Sequence, residues 1–582
     1  MTRDLDLTAD PSPGPVARFL SAWGPEILLL IVTTAAGVAA AGRWVDPTGD
    51  PGLWWSLSAR LAEGERYYRD IPLQFGPLSP YLLAAGARLF GFSVPYMLFA
   101  NWIPAILAGL LLLSLSRQLL TGFERLAMLG LLLGLALFAP GKGRLVYPYC
   151  PAAVHALCLS IGAFVVASRR RGSQAIWPGV LAGLAFAAKQ EIGLAALAGV
   201  MIFQAFQPRR GKRLLLSVPG FLIAIAPAAL FALWSAPLES LRNESHLWPL
   251  ALRLPGEWST LYAGVAGMGD PRWAVRLLES VRGALFYGSL VCIVGAALRH
   301  RLTLRPFAGP AMVFAFASLL GLLESQWLPI RWSAISLSML AAVAVVIVGL
   351  LDRRVEGRPL IVAFGVFAAL VSARTAFSQD VGAVYSGVAH FPTVLTWVIL
   401  LVVLLPRRLT PSTNSLRVPR RVWVTVLLLL GWSGAYAGIR SLADTNRTAI
   451  SSRVGRFWVA PRQAGLFTDI LKEIRPRERV ALLPETNGVD VITGARPALR
   501  YVILMPGTLD AEVERRIQLE LEARPAAAIV VFERPTAEYG LGGLGAGFGR
   551  ELMPWIDARY RVVARTPAGS IRRPASVPQP PI

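Results

Sequence analysis

The chain has 582 residues, 54% of them hydrophobic and only 16% charged, a balance that excludes a string of ordinary soluble domains. A formal net charge of +23 would suit a nucleic-acid partner, but the basic residues fall mostly in short turns between apolar runs, where positive charge sets membrane orientation. The three cysteines lie in or beside apolar runs and the four histidines show no ligand spacing, so neither a disulfide framework nor a thiol metal site is expected; no cofactor is predicted, and a divalent metal could be held only by carboxylates.

In chain order, the first 17 or so residues are polar and contain proline, and Trp23 to Ala41 forms the first expected span. It ends in small residues, GVAAAG, but its apolar run exceeds the roughly 7–15 residues of a cleaved signal core, so it reads as an uncleaved anchor. The stretch 43–91 is then a long polar-rich insertion. Leu53, Trp54, Leu57 and Leu61 share one face of a short helix with Arg60 and Glu63 pointing away, and Leu78, Tyr81, Leu82, Ala85 and Leu89 repeat the pattern. Helices of this kind are expected to lie on a membrane surface. Three carboxylates accompany them. Asp46, in VDPTGD, reads as a turn residue. Asp50 precedes Pro51 and is placed to cap the first helix. Asp70, after Tyr67 and Tyr68, either anchors the loop as an Asx-type turn or serves as a functional acid.

An acid shortly after a first span, followed by RLAEGERYYRDIPLQFGPLSPYL and RLFG, resembles the first outer loop of the GT-C type integral-membrane glycosyltransferases. That group uses polyprenyl-phosphate-linked sugars and includes the protein O-mannosyltransferases and the lipid A aminoarabinose transferases. The resemblance has motif support over roughly residues 20–210. It implies an inverting transferase of hexosyl or pentosyl groups, with Asp50 as catalytic base and Asp70 as a second functional acid. Tyr68 is a further candidate beside Asp70. Many members carry Asp-Glu where this chain has Asp50-Pro51.

Further spans are expected at 93–116, 125–139, 149–168, 174–189, 191–206, 214–236, 283–298, 307–324, 333–351, 359–376, 392–405 and 422–439, making about thirteen in all. With the N-terminus inside, the inner turns hold Arg117 and Arg125, then Arg169 to Arg171, and so on through Arg420 and Arg421, whereas the short outer turns are poor in cations. Loop 43–91, a second loop at 237–282 and the C-terminal segment are thereby expected outside the cytoplasmic membrane. Lys189, Gln190 and Glu191 interrupt the apolar run AGLAFAAKQEIGLAAL, where charge is costly. Either Lys189 and Glu191 pair to line a tight outer turn, or Lys189 binds a donor phosphate, as outer-cavity basic residues do in the family the chain resembles. Arg144, with Lys142 in GKGRLVYPY, and Arg331, in WLPIRW, are further outer-face cations that could share that load.

Residues 1–439 thus form the expected transmembrane catalytic domain, 440–570 a small extracytoplasmic α/β domain, and 571–582 a disordered tail. Strands are expected at Arg479–Leu483, Arg500–Met505, Ala527–Phe532 and Arg561–Arg565, alternating with helices at Ala464–Ile474, Ala511–Ala523 and near Phe548–Tyr560. GLGGLG at 540–545 matches a dinucleotide pattern, but ERPTAEY separates it from the preceding strand, so it reads as a glycine loop. The expected partners are a polyprenyl-phosphate sugar, membrane lipids and an acceptor on a glycan, lipid or protein, with no nucleic acid. The alternatives are a multi-span lipid or sugar transporter or flippase, and a polysaccharide ligase or polymerase. The arginine asymmetry makes a topology prediction: a reporter fused after Ile582 should be extracytoplasmic and one fused near Arg170 cytoplasmic, and finding both on one side would reject the orientation.

Overall fold

The computed structural model describes residues 14–40, 43–139, 144–147, 149–169, 172–208, 210–245, 335–373, 379–404, 420–442, 446–504, 506, 509–534 and 542–575. The apolar runs fold as helices: α1 (Pro15–Ala40), α4 (Val94–Ser116), α5 (Gly122–Leu131), α6 (Pro151–Arg169), α7 (Ile176–Ala188), α8 (Gln190–Ala205) and α9 (Arg210–Ser235). Further along come the short α10 (Leu238–Asn243), α11 (Ile335–Leu351), α12 (Arg358–Ala373), α13 (Gln379–Val398) and α14 (Arg420–Leu442). Five stretches among the described residues are long and apolar enough to cross a membrane: Ala22–Ala39, Val94–Ser116, Pro151–Arg169, Arg210–Ser235 and Gly387–Leu404. Four others, among them α7 and α8, are apolar but shorter, so the thirteen expected spans are not matched one for one. The spans expected at 283–298 and 307–324, and most of loop 237–282, lie outside the described residues.

Local chemistry explains the helix ends and contacts. Thr121 and Glu124 form a reciprocal capping box that starts α5. The helix continues as a π-helix, Leu132–Leu137, and meets α14 through Gly130, Gly134, Gly431 and Gly434, small residues that let two backbones approach. Arg117 and Arg125, expected only as turn cations, both reach Glu26 on α1; the Arg117 pair measures 3.0 Å. Burial of Glu26 and Arg125 thus comes with pairing, as it must.

Two short helices occupy loop 43–91: α2 (Asp50–Ala62) and α3 (Leu78–Phe90). The expectation that both lie on a membrane surface fails for α2. α3 leaves Leu82, Leu89 and Phe90 exposed, whereas α2 is buried on every side, including Arg60, Ser56 and Ser58. Arg60 does not point to solvent but pairs with Glu65 at 2.7 Å. The element that covers the polar side of α2 is the C-terminal domain.

That domain opens with a hairpin, β1 (Thr448–Ser452) and β2 (Gly455–Val459), which alternation alone did not single out. It clamps the first loop at both ends: Trp458 N–H donates to Val45 O (2.9 Å) and Val94 N–H to Val454 O (2.9 Å). Then follow α15 (Pro461–Glu473), β3 (Arg479–Leu483), α16 (Val489–Thr493), β4 (Arg496–Pro497), α17 (Ala511–Ala523), β5 (Ala528–Phe532), α18 (Leu552–Arg559), β6 (Tyr560–Thr566) and β7 (Gly569–Pro574). The strands form one mixed sheet ordered β4-β3-β5-β7-β6, with β3 parallel to β4 and β5 and the rest antiparallel. Alternate residues serve opposite faces. Ala481, Leu483, Ile529 and Val531 pack with Ile517 and Leu521 of α17 and Ile556 of α18, while Val480, Leu482 and Val530 join Phe467 and Ile470 of α15. The second set is continuous with Leu53, Trp54 and Leu57 of α2 and with the transmembrane core.

Two expectations change. Residues 500–504 are not a strand: their buried apolar side chains are satisfied by a loop that makes one isolated bridge, Glu485 with Ile503. Residues 571–574, expected as the start of a tail, are instead part of β7, paired on both edges, and 576–582 lie outside the described residues. The basic residues of β7 suggested disorder because their partners were invisible in sequence; Arg572 pairs with Asp557 and Arg573 with Glu478 at 2.5 Å.

The lid over α2 includes one costly group. Ser56 Oγ donates to Asp490 Oδ1 at 2.5 Å, with both side chains buried. Burial pushes the Asp490 carboxyl up from 3.8 to about 6, against the pull of the Ser56 hydrogen bond and Arg60. The folded state therefore holds this proton more tightly than the unfolded one, so the contribution is full below about pH 4 and lost as pH rises through about 6. Asp490→Asn keeps an acceptor for Ser56 and removes the buried charge. Its thermal transition in detergent should exceed that of the wild type by a few degrees at pH 7.5, with the gap closing at pH 5; lower stability than wild type at pH 7.5 would refute this account.

Candidate functional site

The approach to α2 is built by a turn. Asp46 Oδ1 accepts hydrogen bonds from Thr48 N (2.9 Å) and Thr48 Oγ1 (2.7 Å), an Asx arrangement that suits the turn role expected of this residue. The helix N-cap, however, is Gly49 at φ 75°, not Asp50, because the chain enters in a left-handed conformation that glycine favours. Asp50 becomes the first helical residue, followed by Pro51, and is 8% exposed. Its carboxylate lies in the first turn, where the helix dipole favours negative charge. Gly49 has no side chain to cap with, and its own N–H donates to the side-chain oxygen of Asn487, in the C-terminal domain.

Lys189 reaches the same region from a break between two apolar helices. α7 ends and α8 begins around its extended backbone (φ −148°, ψ 111°), so the two helices form a hairpin with a single-residue joint. Lys189 N–H still donates to Ala185 O at 2.8 Å, and its carbonyl accepts from Gly193 N–H at 3.1 Å. The hairpin tip docks against residues 74–76: Gln190 Nε2 donates to Gln74 O at 3.3 Å, and a Cβ on Gly76 would sit 2.0 Å from Ala187 O, so only glycine fits. The Lys189 side chain is almost fully buried, pairs with Glu191 at 3.1 Å and lies 4.8 Å over the Phe75 ring. Phe75 in turn stacks on Trp54, one turn along α2 from Asp50, at 5.1 Å between centroids.

The buried thiol of Cys150, just before α6, feels the charges of Lys189, Asp50 and Glu191 together. Asp50 of α2 and the Lys189–Glu191 pair at the start of α8 thus share one neighbourhood. Tyr68 supports it from beneath. Its backbone is left-handed (φ 69°), its ring is buried, and its hydroxyl donates to Phe75 O at 2.8 Å while the Tyr67 hydroxyl donates to the same carbonyl at 3.2 Å. Burial drives both phenols well above their usual range, so they act as neutral donors.

The other candidates sit elsewhere. Asp70 accepts a fork of hydrogen bonds from Arg69 (2.8 and 2.9 Å) and one from Arg66 N–H (2.7 Å). The Arg69 hydrogen bond is the main reason its carboxyl is held below the usual range. Arg144 is buried near Arg447 and Asp46; burial first, and Arg447 second, bring it down to about 10, still cationic at neutral pH. Arg447 lies 3.7 Å from Asp46. Lys142 and Arg331 lie outside the described residues. Among the described residues no group of three or more His, Cys, Asp or Glu is disposed to hold a metal ion.

Compared with known proteins, the chain matches no family model and no curated protein. Among solved structures, 14 chains match. ArnT from Cupriavidus metallidurans bound to undecaprenyl phosphate is 14% identical, with a TM-score of 0.43 over 96% of this chain and 100% of that one. The same protein in the apo state gives 14% and 0.42, over 95% and 98%. The Archaeoglobus fulgidus oligosaccharyltransferase, in complex with Zn and sulfate, gives 13% and 0.44, over 87% and 68%. At TM-scores below 0.5 these likenesses decide neither activity nor substrate, and the reading of function rests on this chain's own residues.

Proposed function

We propose that the chain is a membrane glycosyltransferase that moves a sugar, with inversion, from a polyprenyl-phosphate donor to an acceptor hydroxyl on the outer face of the cytoplasmic membrane. The observation that supports the reading is a chain of contacts: the buried ammonium of Lys189 lies over Phe75, and Phe75 stacks on Trp54, one turn along the helix that begins with the buried carboxylate of Asp50. The loop sequence that resembles the GT-C enzymes contributes Asp50, Tyr68 and Phe75 to this neighbourhood.

In this mechanism Asp50 accepts the proton of the acceptor hydroxyl as its oxygen attacks the anomeric carbon, and the bond from that carbon to the phosphate oxygen breaks. The departing polyprenyl phosphate gains negative charge, which Lys189 offsets in a site shielded from water by Phe75 and Trp54. Glu191 holds the ammonium before the donor arrives and yields it to the phosphate. Arg144, buried near Arg447 and Asp46 in the turn that leads into α2, is proposed as a further cation for the same load. Asp70, spoken for by Arg69 and the Arg66 amide, contributes by fixing the loop that presents Tyr68 and Phe75.

The test is sugar transfer by purified protein from a polyprenyl-phosphate sugar. Asp50→Asn preserves shape but cannot take a proton, so kcat should fall by roughly 100 to 10,000-fold while donor still binds. A well-folded Asp50→Asn enzyme that keeps more than about a tenth of wild-type turnover would sink the base assignment. In the same assay Lys189→Ala should raise the donor KM strongly, and Lys189→Arg should recover part of the loss, since charge survives but shape does not. Unchanged donor kinetics in Lys189→Ala would return Lys189 to a purely structural pair with Glu191.

A further inference from the structure

A base fixed by a helix is only as well placed as that helix. The first N–H groups of a helix have no partner within it, and the usual remedy is a polar side chain at the N-cap. α2 has glycine there, with no side-chain cap of its own. Its cap comes from 438 residues away: the Gly49 N–H donates to the side-chain oxygen of Asn487, on the loop that leaves the carboxyl end of β3. Asn487 (φ 45°) and Gly488 (φ 67°) are both left-handed, and together they turn the backbone flat against the first turn of α2. The contact is closed tightly. A Cβ on Gly52 would lie 2.4 Å from Asn487 C and 2.6 Å from its Cα, and one on Gly488 would lie 3.2 Å from the Trp55 ring. The loop is itself held on its own domain, since Thr486 N–H donates to Val502 O at 3.2 Å and Ile492 N–H to Gly488 O at 3.0 Å.

From this geometry we infer that Asn487 is a positioning residue for the reaction: through Gly49 it sets where Asp50 stands, and so makes the extracytoplasmic domain part of the catalytic apparatus. The inference rests on the reading of Asp50 as base. Asn487 touches neither donor nor acceptor; it determines whether the carboxylate one residue beyond Gly49 meets the acceptor proton. A displacement on the order of 1 Å at such a base is worth about 100-fold in rate.

Two variants test it, both assayed as full-length protein with a polyprenyl-phosphate sugar. Asn487→Gly removes the acceptor while tolerating the left-handed backbone, so any loss is due to the missing hydrogen bond. Its kcat should drop by about tenfold or more, as misplaced bases do, with the donor KM within about twofold of wild type. Asn487→Asp keeps an oxygen for the Gly49 N–H but adds a carboxylate beside Asp50. Turnover should then recover at high pH, with the acidic limb of the kcat profile moved up by about one unit through like-charge repulsion. A merely structural contact would not move that limb. Wild-type kcat in Asn487→Gly, or equal losses in both variants with an unmoved pH profile, overturns the inference. If Asp50→Asn is inactive while Asn487→Gly is unaffected, only the positioning role fails; if Asp50→Asn is active, the base reading fails first.

Discussion

Every face of α2 is taken. Its apolar side joins the transmembrane core through Leu53, Trp54 and Leu57, and its polar side, with Ser56 and Gly52, lies under Asp490 and Asn487 of the C-terminal domain. A helix of 13 residues is marginal alone in water. What holds this one is burial between two bodies that the chain makes hundreds of residues apart. The arrangement makes the carboxylate at its start rigid, and it also explains why polar residues such as Ser58 and Arg60 can be buried there: each has a partner at hand, in Trp54 O and Glu65 respectively.

The second anchor of the site follows from an interruption. An unbroken helix through α7 and α8 would point Lys189 wherever the helical period dictated. The extended residue at the joint instead turns the chain back, so that the ammonium emerges at the tip of a hairpin and the tip docks on residues 74–76. Phe75 then links the two anchors, under Lys189 on one side and against Trp54 on the other, with its carbonyl pinned by two tyrosine hydroxyls. Aromatic contact and hydrogen bonding here do one job: they tie the Lys189 ammonium, through Phe75, to Trp54 of α2 in a poorly solvated place, where charge stabilisation is strong.

The arginine excess takes on a second meaning in three dimensions. Arg117 and Arg125 meet Glu26, Arg447 meets Asp46, and Arg500 and Arg516 both meet Glu244 from the described start of the second loop. Guanidinium groups suit such shared sites because a planar fork can serve two partners at once. Arg117 and Arg125, which read along the sequence as orientation signals, are also fastenings between elements.

The amino-acid sequence by itself determined the membrane character, the positions of the apolar helices, the polar first loop with Asp50, the break at Lys189 and most of the strand and helix alternation after residue 440. These are local properties: runs of apolar residues, helical spacing and charge in an apolar run are all legible within a window of 20 residues or so. It missed β7 and overstated a strand at 500–505, because whether a basic or apolar segment joins a sheet depends on its neighbours, and those lie far away in the chain. It assigned the α2 cap to Asp50, where the fold uses Gly49 and a distant Asn487. Only the tertiary structure decided that α2 is buried rather than lying on lipid, that Asp50, Lys189 and Glu191 share the surroundings of Cys150, and that Asp70 is engaged by Arg69 instead. The physical reason is that burial and electrostatic neighbourhood are properties of what packs against a residue, and nothing in the residues around Asp50 encodes a loop that begins at Pro484.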